Sequence, residues 1–142
     1  MKKINDLLAA KQDEIWSIAP EQFVFDALKL MAEKEIGALL VISEGETCGI
    51  ISERDYARKV LLKGRSSRDT PVRDIMTTDV VFTHPDDTVE SCMKLMTTRR
   101  IRHLPVLDKD QLVGVISIGD LVKAIISEQK ETIELLETYI RS

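Results

Sequence analysis

Apolar positions along this chain change their period in a fixed order, and the order is followed twice. Residues 15–18 read as a short strand closed by Ala19 and Pro20. Val24, Ala27, Leu28, Met31 and Ala32 then recur at helical spacing as far as Lys34. Residues 38–42 are an unbroken apolar run, too short for a helix and suited to a buried strand. Residues 43–46 carry turn chemistry, and 47–51 return as another strand. Ser52 opens a helix expected to run to about Lys63, where Gly64 stops it. The second copy predicts a strand over 80–83 and a helix over 88–98 that turns Val89, Met93 and Met96 inward. Strands over 103–107 and 112–116 follow, joined by a turn at 109–111. A last helix starts near Ile118 and continues past Glu128 towards Tyr139.

The two copies align without a gap, residues 15–60 on residues 80–125. Pro20 meets Pro85, Lys29-Leu30-Met31 meets Lys94-Leu95-Met96, and Ile51-Ser52 meets Ile116-Ser117. About a quarter of the aligned positions are identical, the mark of one supersecondary unit built twice. Each copy alone would be a marginal core, so the halves are expected to need each other. The fold class is therefore α/β (α+β): two βαββα repeats packed about a pseudo-twofold axis, with a pair of similar clefts between them. The division runs 1–69 and 70–142. Residues 65–69 form a polar linker, Thr70 and Pro71 start a helix over 72–76, and residues 4–10 take the matching place ahead of the first copy.

Composition narrows the function. The 142 residues are 44% hydrophobic and 31% charged, as in an ordinary globular domain. A net charge of −4 argues against nucleic acid, which needs clustered basic residues. No apolar run approaches the roughly 20 residues of a membrane span. Met1-Lys2-Lys3 resembles the start of a signal peptide, but Asn5, Asp6 and Lys11 break up the apolar stretch that follows. Cys48 and Cys92 stand at non-equivalent places without paired spacing, and read as buried thiols of a reducing, cytoplasmic compartment.

The candidate chemistry lies in Gly49-Ile50-Ile51-Ser52-Glu53-Arg54-Asp55, which recurs as Gly114-Val115-Ile116-Ser117-Ile118-Gly119-Asp120. In each, a strand runs into a helix that opens on serine, with aspartate three residues on. That is a helix capping box. The same geometry also suits a ribose-phosphate: open N–H groups face the anion, and the carboxylate accepts from sugar hydroxyls. Both readings stand, and they are compatible. Arg54 of the first copy becomes Gly119 in the second, while Gly37-Ala38 become Arg102-His103. Each cleft would thus have a cation for a phosphate, on a different wall.

These residues resemble tandem CBS domains, the pair known as a Bateman module. The resemblance rests on the duplicated βαββα plan, the two Gly-x-x-Ser-x-x-Asp elements, Asp74-Ile75-Met76-Thr77 and Ile101-Arg102-His103-Leu104-Pro105-Val106. It covers about residues 5–128. It implies a regulatory module that binds an adenosine-containing ligand: AMP, ADP, ATP, NAD or S-adenosylmethionine. Asp55 and Ser52, with Gly37, Ala38 and Leu39, would serve the first cleft. Asp120 and Ser117, with Arg102, His103 and Leu104, would serve the second. Ser17 and Thr83 are further members, and Lys11, Met76 and Thr77 would close the clefts.

No nucleophile–base pair, metal motif or glycine-rich phosphate loop is legible, so no catalytic or metal residue and no enzymatic activity is expected. The resemblance implies a stand-alone homodimer that signals to a separate enzyme or transporter. The alternative is a dimerisation or docking scaffold with non-functional clefts. Trp16 and the methionines read as core, His84 as a loop residue able to approach His103, and Lys59, Lys63, Arg65 and Arg68 as a solvated basic cluster. Ile126, Ile133, Leu136 and Ile140 form an apolar stripe for the module itself or a second subunit.

Overall fold

The computed structural model describes residues 2–11 and 15–141. Two compact units emerge, one of them Trp16–Val80 and the other joining the N-terminal residues to everything from Val81 onward. Helix α1 (Ile4–Lys11) comes first in the chain and belongs to the latter unit. The mixed helix and strand content follows the expected plan, complete in the first unit and reduced at the opening strand in the other.

The first unit holds β1 (Ser17–Ile18), α2 (Val24–Lys34), β2 (Ala38–Ser43), β3 (Glu46–Ser52) and α3 (Glu53–Tyr56). β1 runs parallel to β2, and β2 pairs antiparallel with β3 in the register Ala38–Ser52, Leu39–Ile51. A two-residue turn joins the hairpin, with Glu44 and Gly45 both at positive φ (51° and 79°), the twist that tight hairpins favour. Ile18, Val24, Ala27, Met31, Leu39, Val41, Ile51, Val60, Val72 and Ile75 make the core. The helix after Ser52 does not run evenly to Lys63. It widens into a π-helical turn at Ala57–Leu61, where the Leu62 N–H reaches five residues back to the Ala57 carbonyl at 3.0 Å.

The other unit adds α4 (Val89–Arg99), β4 (His103–Asp108), β5 (Gln111–Ser117) and the long α5 (Ile118–Arg141) to α1. β4 and β5 pair in the matching register, His103–Ser117 and Leu104–Ile116. Its core is Ile4, Leu7, Val89, Cys92, Met96, Leu104, Val106, Ile116, Leu121 and Ala124. The strand expected over 80–83 shrinks to one bridge, Thr83 with Val106. The reason lies in the neighbouring strand: Pro105 stands where the first copy has Leu40, and proline has no N–H for the next rung.

The segment leading into each copy packs on the other copy. Val72 and Arg73 donate their N–H groups to the carbonyls of Gln22 and Pro20, at 2.7 and 2.9 Å. Ile4 and Asn5 donate to the equivalent Asp87 and Pro85, at 2.9 and 3.0 Å. The compact units therefore cut across the 1–69/70–142 division: residues 70–80 lie with the first copy and 2–11 with the second. The expected helix over 72–76 is only a 3-10 turn, Val72–Asp74, because Thr77 leaves it to pair with Ile50.

Candidate functional site

In the first unit, strand pairing sets Ala38 beside Ser52, and the Glu53 N–H donates to the Gly37 carbonyl at 3.1 Å. Gly37, Ala38, Ser52 and the start of α3 are thereby brought together. Leu39 pairs with Ile51 and turns into the core. The Asp55 N–H donates to Ser52 Oγ at 3.2 Å, while Asp55 Oδ2 accepts from the Ser52 N–H (2.9 Å) and hydroxyl (3.1 Å). The capping box is real. Asp55 Oδ1 faces the other way, receiving Lys59 Nζ at 3.0 Å and the Thr77 hydroxyl at 3.4 Å.

Thr77 reaches Asp55 because its backbone is bonded to Ile50 in both directions, at 2.8 and 2.9 Å. That close crossing needs a glycine beneath it. A Cβ on Gly49 would lie 2.8 Å from Met76 Sδ and 2.9 Å from the Thr77 carbonyl oxygen. Lys59 also donates to the Ile75 carbonyl at 2.9 Å, so its ammonium ties α3 to the segment above β3.

The second unit repeats the frame with different parts. His103 pairs with Ser117, and the Ile118 N–H donates to the Arg102 carbonyl at 2.9 Å. Leu104 is buried in the core opposite Ile116. The Asp120 N–H donates to Ser117 Oγ at 3.2 Å, and Asp120 Oδ2 accepts from the Ser117 N–H at 2.8 Å. Lys11 Nζ meets the same Oδ2 at 2.9 Å and also donates to the Val115 carbonyl at 2.9 Å. Among the described residues Asp120 Oδ1 takes no hydrogen bond. Gly114 lies under Leu8 of α1, as Gly49 lies under Met76.

Electrostatics differ accordingly. Burial, the largest influence on Asp120, works against its charged form. The Ser117 N–H and Lys11 together outweigh it, and its pKa falls below the usual carboxylate value. The pKa of His103 is also lowered, first by burial and then by the charges of Lys11 and Arg102, against a partial pull from Asp120. The imidazole is neutral at pH 7, able both to donate and to accept.

The other expected site residues differ in burial and in their distance along the chain from the caps. Ser17 is exposed on β1. Thr83 is buried, its hydroxyl donating to Asp87 at 2.6 Å and lying 3.1 Å from Cys92 Sγ. That bond, ahead of the opposing effect of burial, lowers the Asp87 pKa, whereas burial raises that of the Cys92 thiol. Arg54 is half-buried beside the first cap, Arg102 is exposed, and Gly119 leaves ordinary van der Waals room beside Ser117 Oγ. His84 sits against Asp87 (3.7 Å). Lys59 is the residue that the reading of the basic cluster missed. Its signal was present in the Asp55–Lys59 spacing of four, which places the two on one helix face.

Two βαββα copies, each with a serine–aspartate cap beside the start of its central strand, define a CBS-domain pair. The CBS domain family matches residues 6–62 and 72–127, and the chain belongs to that family. It is 40% identical over 147 residues to the mitochondrial CBS domain-containing protein CBSX3 of Arabidopsis thaliana, covering 97% of this chain and 71% of the relative. A CBS-domain protein from Burkholderia ambifaria superposes with a TM-score of 0.88 at 51% identity, over 90% of this chain and 96% of that one. The CBS domain pair of protein MJ0100, solved with 5-methylthioadenosine and S-adenosyl-L-methionine, shares the fold at TM-score 0.77 and 24% identity, over 90% and 98% of the two chains. Among the described residues no helix is long and apolar enough to cross a membrane.

Proposed function

We propose that the chain is a regulatory module, not an enzyme, that binds an adenosine-containing ligand at the Ser-x-x-Asp caps. Occupancy is read by a separate enzyme or transporter, and the module works as a homodimer in a reducing, cytoplasmic setting. The observation that carries the reading is the cap at Asp120. Its carboxylate is held ionised by the Ser117 N–H and Lys11, and Oδ1 is left as an acceptor for a ribose hydroxyl. Lys11 supplies a cation for a phosphate or carboxylate of the ligand, and the neutral His103 suits an adenine edge. The CBS pair solved with S-adenosyl-L-methionine has the same fold, which supports the class of ligand. AMP, ADP, ATP, NAD and S-adenosylmethionine all offer the ribose and adenine that such a cap addresses.

Binding that draws Lys11 or Lys59 from its aspartate onto a ligand anion would loosen the tie between the cap and the segment crossing β5 or β3. The effect on a partner cannot exceed the ligand's differential affinity for the two arrangements. A second reading has support of its own. Both carboxylates already serve as caps, as a scaffold with non-functional clefts would have them. Thermal unfolding with each of the five ligands separates the two readings. A ligand at 100 times its Kd adds about 2.7 kcal/mol, or roughly 2–8 °C in Tm. No shift with any of them leaves the scaffold.

A further inference from the structure

The last helix carries an apolar seam that stands exposed among the described residues. α5 is buried at Leu121 and Ala124, and beyond Glu128 its described residues are exposed. Ile126, Ile133, Leu136 and Ile140 are 59, 55, 57 and 80% exposed. A helix that leaves its core after two turns relies on propensity, which alone sustains such a length poorly.

The spacing says what kind of surface would cover it. Ile126, Ile133 and Ile140 are seven apart, and so are Val122, Gln129 and Leu136, the two sets interleaving at intervals of four and three. This is a heptad with β-branched residues at one seam position and mostly apolar residues at the other. A seven-residue period slips against the 3.6-residue turn, so it stays in contact only with a helix that winds around it.

We propose that the α5 seam pairs antiparallel with the same seam of a second copy, forming a two-stranded coiled coil. Charge and length favour a copy of this chain over a foreign helix. With Ile133 set opposite Leu136 of the second copy, the flanking Lys130 faces the second copy's Glu137, and the reverse pair forms by symmetry. In that register the second copy's Arg141 ends level with Glu128, where the exposed stretch begins. A parallel pairing would set Thr132 against Glu137 and Ile125 against Lys130, gaining no charge pair. The proposal rests on the homodimer of the preceding reading and gives it a surface.

Sedimentation of the full chain tests it. The wild type is expected at twice the 16.1 kDa of one chain. The variant I133D/L136D is expected at the single-chain mass, with its thermal transition retained because neither residue touches the core. Glu137→Lys should raise the dimer dissociation constant about tenfold, roughly 1.4 kcal/mol, and K130E/E137K should restore it. A wild type at the single-chain mass overturns both the homodimer and the seam. A dimer that survives I133D/L136D keeps the homodimer and overturns the seam as its surface. If Glu137→Lys has no effect, or K130E/E137K fails to restore, the antiparallel pairing is overturned.

Discussion

The two caps keep the same aspartate and draw its cation from different places. In the first unit the counter-ion is Lys59, one turn further along the same helix. In the second that position is Ala124, and the ammonium comes instead from Lys11 at the end of α1. The cause is a length difference. Ile4 and Leu7 occupy the places of Val72 and Ile75, but six residues separate Leu8 from Ile15 where three separate Met76 from Val80. The longer connection lets α1 continue as a helix to Lys11, whereas the shorter leader turns at once into the Thr77–Ile50 bridge. Duplication has preserved the carboxylate and its serine, and has left the counter-charge to whichever segment lies within reach.

The sharpest way to break this comparison is at the two glycines. Gly49→Ala would meet the Thr77 backbone as well as Met76, and is expected to cost about 1–3 kcal/mol. Gly114→Ala meets only the end of the Leu8 side chain, which can turn aside, and should cost about 1 kcal/mol or less. Urea titration of both variants measures the difference, and equal losses would mean that the two crossings are equally rigid.

Next in size is the loss of each carboxylate. Asp55→Ala and Asp120→Ala should each lower stability by about 1 kcal/mol through the cap. Each should also weaken ligand binding at its own site by about tenfold or more, read by calorimetry with the ligand that gives the largest thermal shift. Stability loss with unchanged affinity at both sites would leave capping as the sole role.

How much of this was legible beforehand depends on what kind of residue carried it. The order of strands and helices follows from apolar period, and the caps follow from serine and aspartate at fixed spacing. Both are local signals. The strand at 80–83 was overestimated because its loss is decided by Pro105, more than twenty residues away in the partner strand. The Lys11–Asp120 pair was beyond local reading, since only the fold brings such distant residues together. Lys59 was nearer to hand, but its neighbours Lys63, Arg65 and Arg68 made it look like one more solvated charge. Two of those neighbours have partners as well: Arg65 pairs with Asp74 at 3.0 Å, and Arg68 lies 4.1 Å from the centre of the Phe25 ring.

The lysines sharpen the comparison on a finer scale. Lys11→Ala removes a half-buried ion pair and a carbonyl bond between separate segments, and should cost about 1 kcal/mol. Lys59→Ala removes a more exposed pair within one helix together with its bond to the Ile75 carbonyl, and should cost somewhat less, about 0.5–1 kcal/mol. Thermal melts at low and high salt would show the Lys59 loss shrinking more with salt than the Lys11 loss.

The smallest expected difference is in pH response. The first copy has Ala38 where the second has His103. Because the folded state holds the His103 pKa below 6.5, the unfolded chain takes up this proton first as pH falls. Stability therefore declines as pH drops below about 6.5, and His103→Asn should flatten that decline. Asp120 adds stability above the usual carboxylate pKa that disappears only as pH falls through its lowered folded value. Melting temperatures across pH 3–7, taken in wild type and His103→Asn, distinguish these windows; an unchanged slope near neutrality would discount the histidine.

The way each leader packs on the opposite copy also sets a timetable for the emerging polypeptide. Trp16–Val80 is one contiguous stretch, so it can close as soon as it has left the ribosome. Its companion must hold Ile4, Leu7 and Lys11 in waiting until Asp120, 109 residues later, has been made. Such distant closure is slow, so α1 is made before Trp16–Val80 yet settles after it.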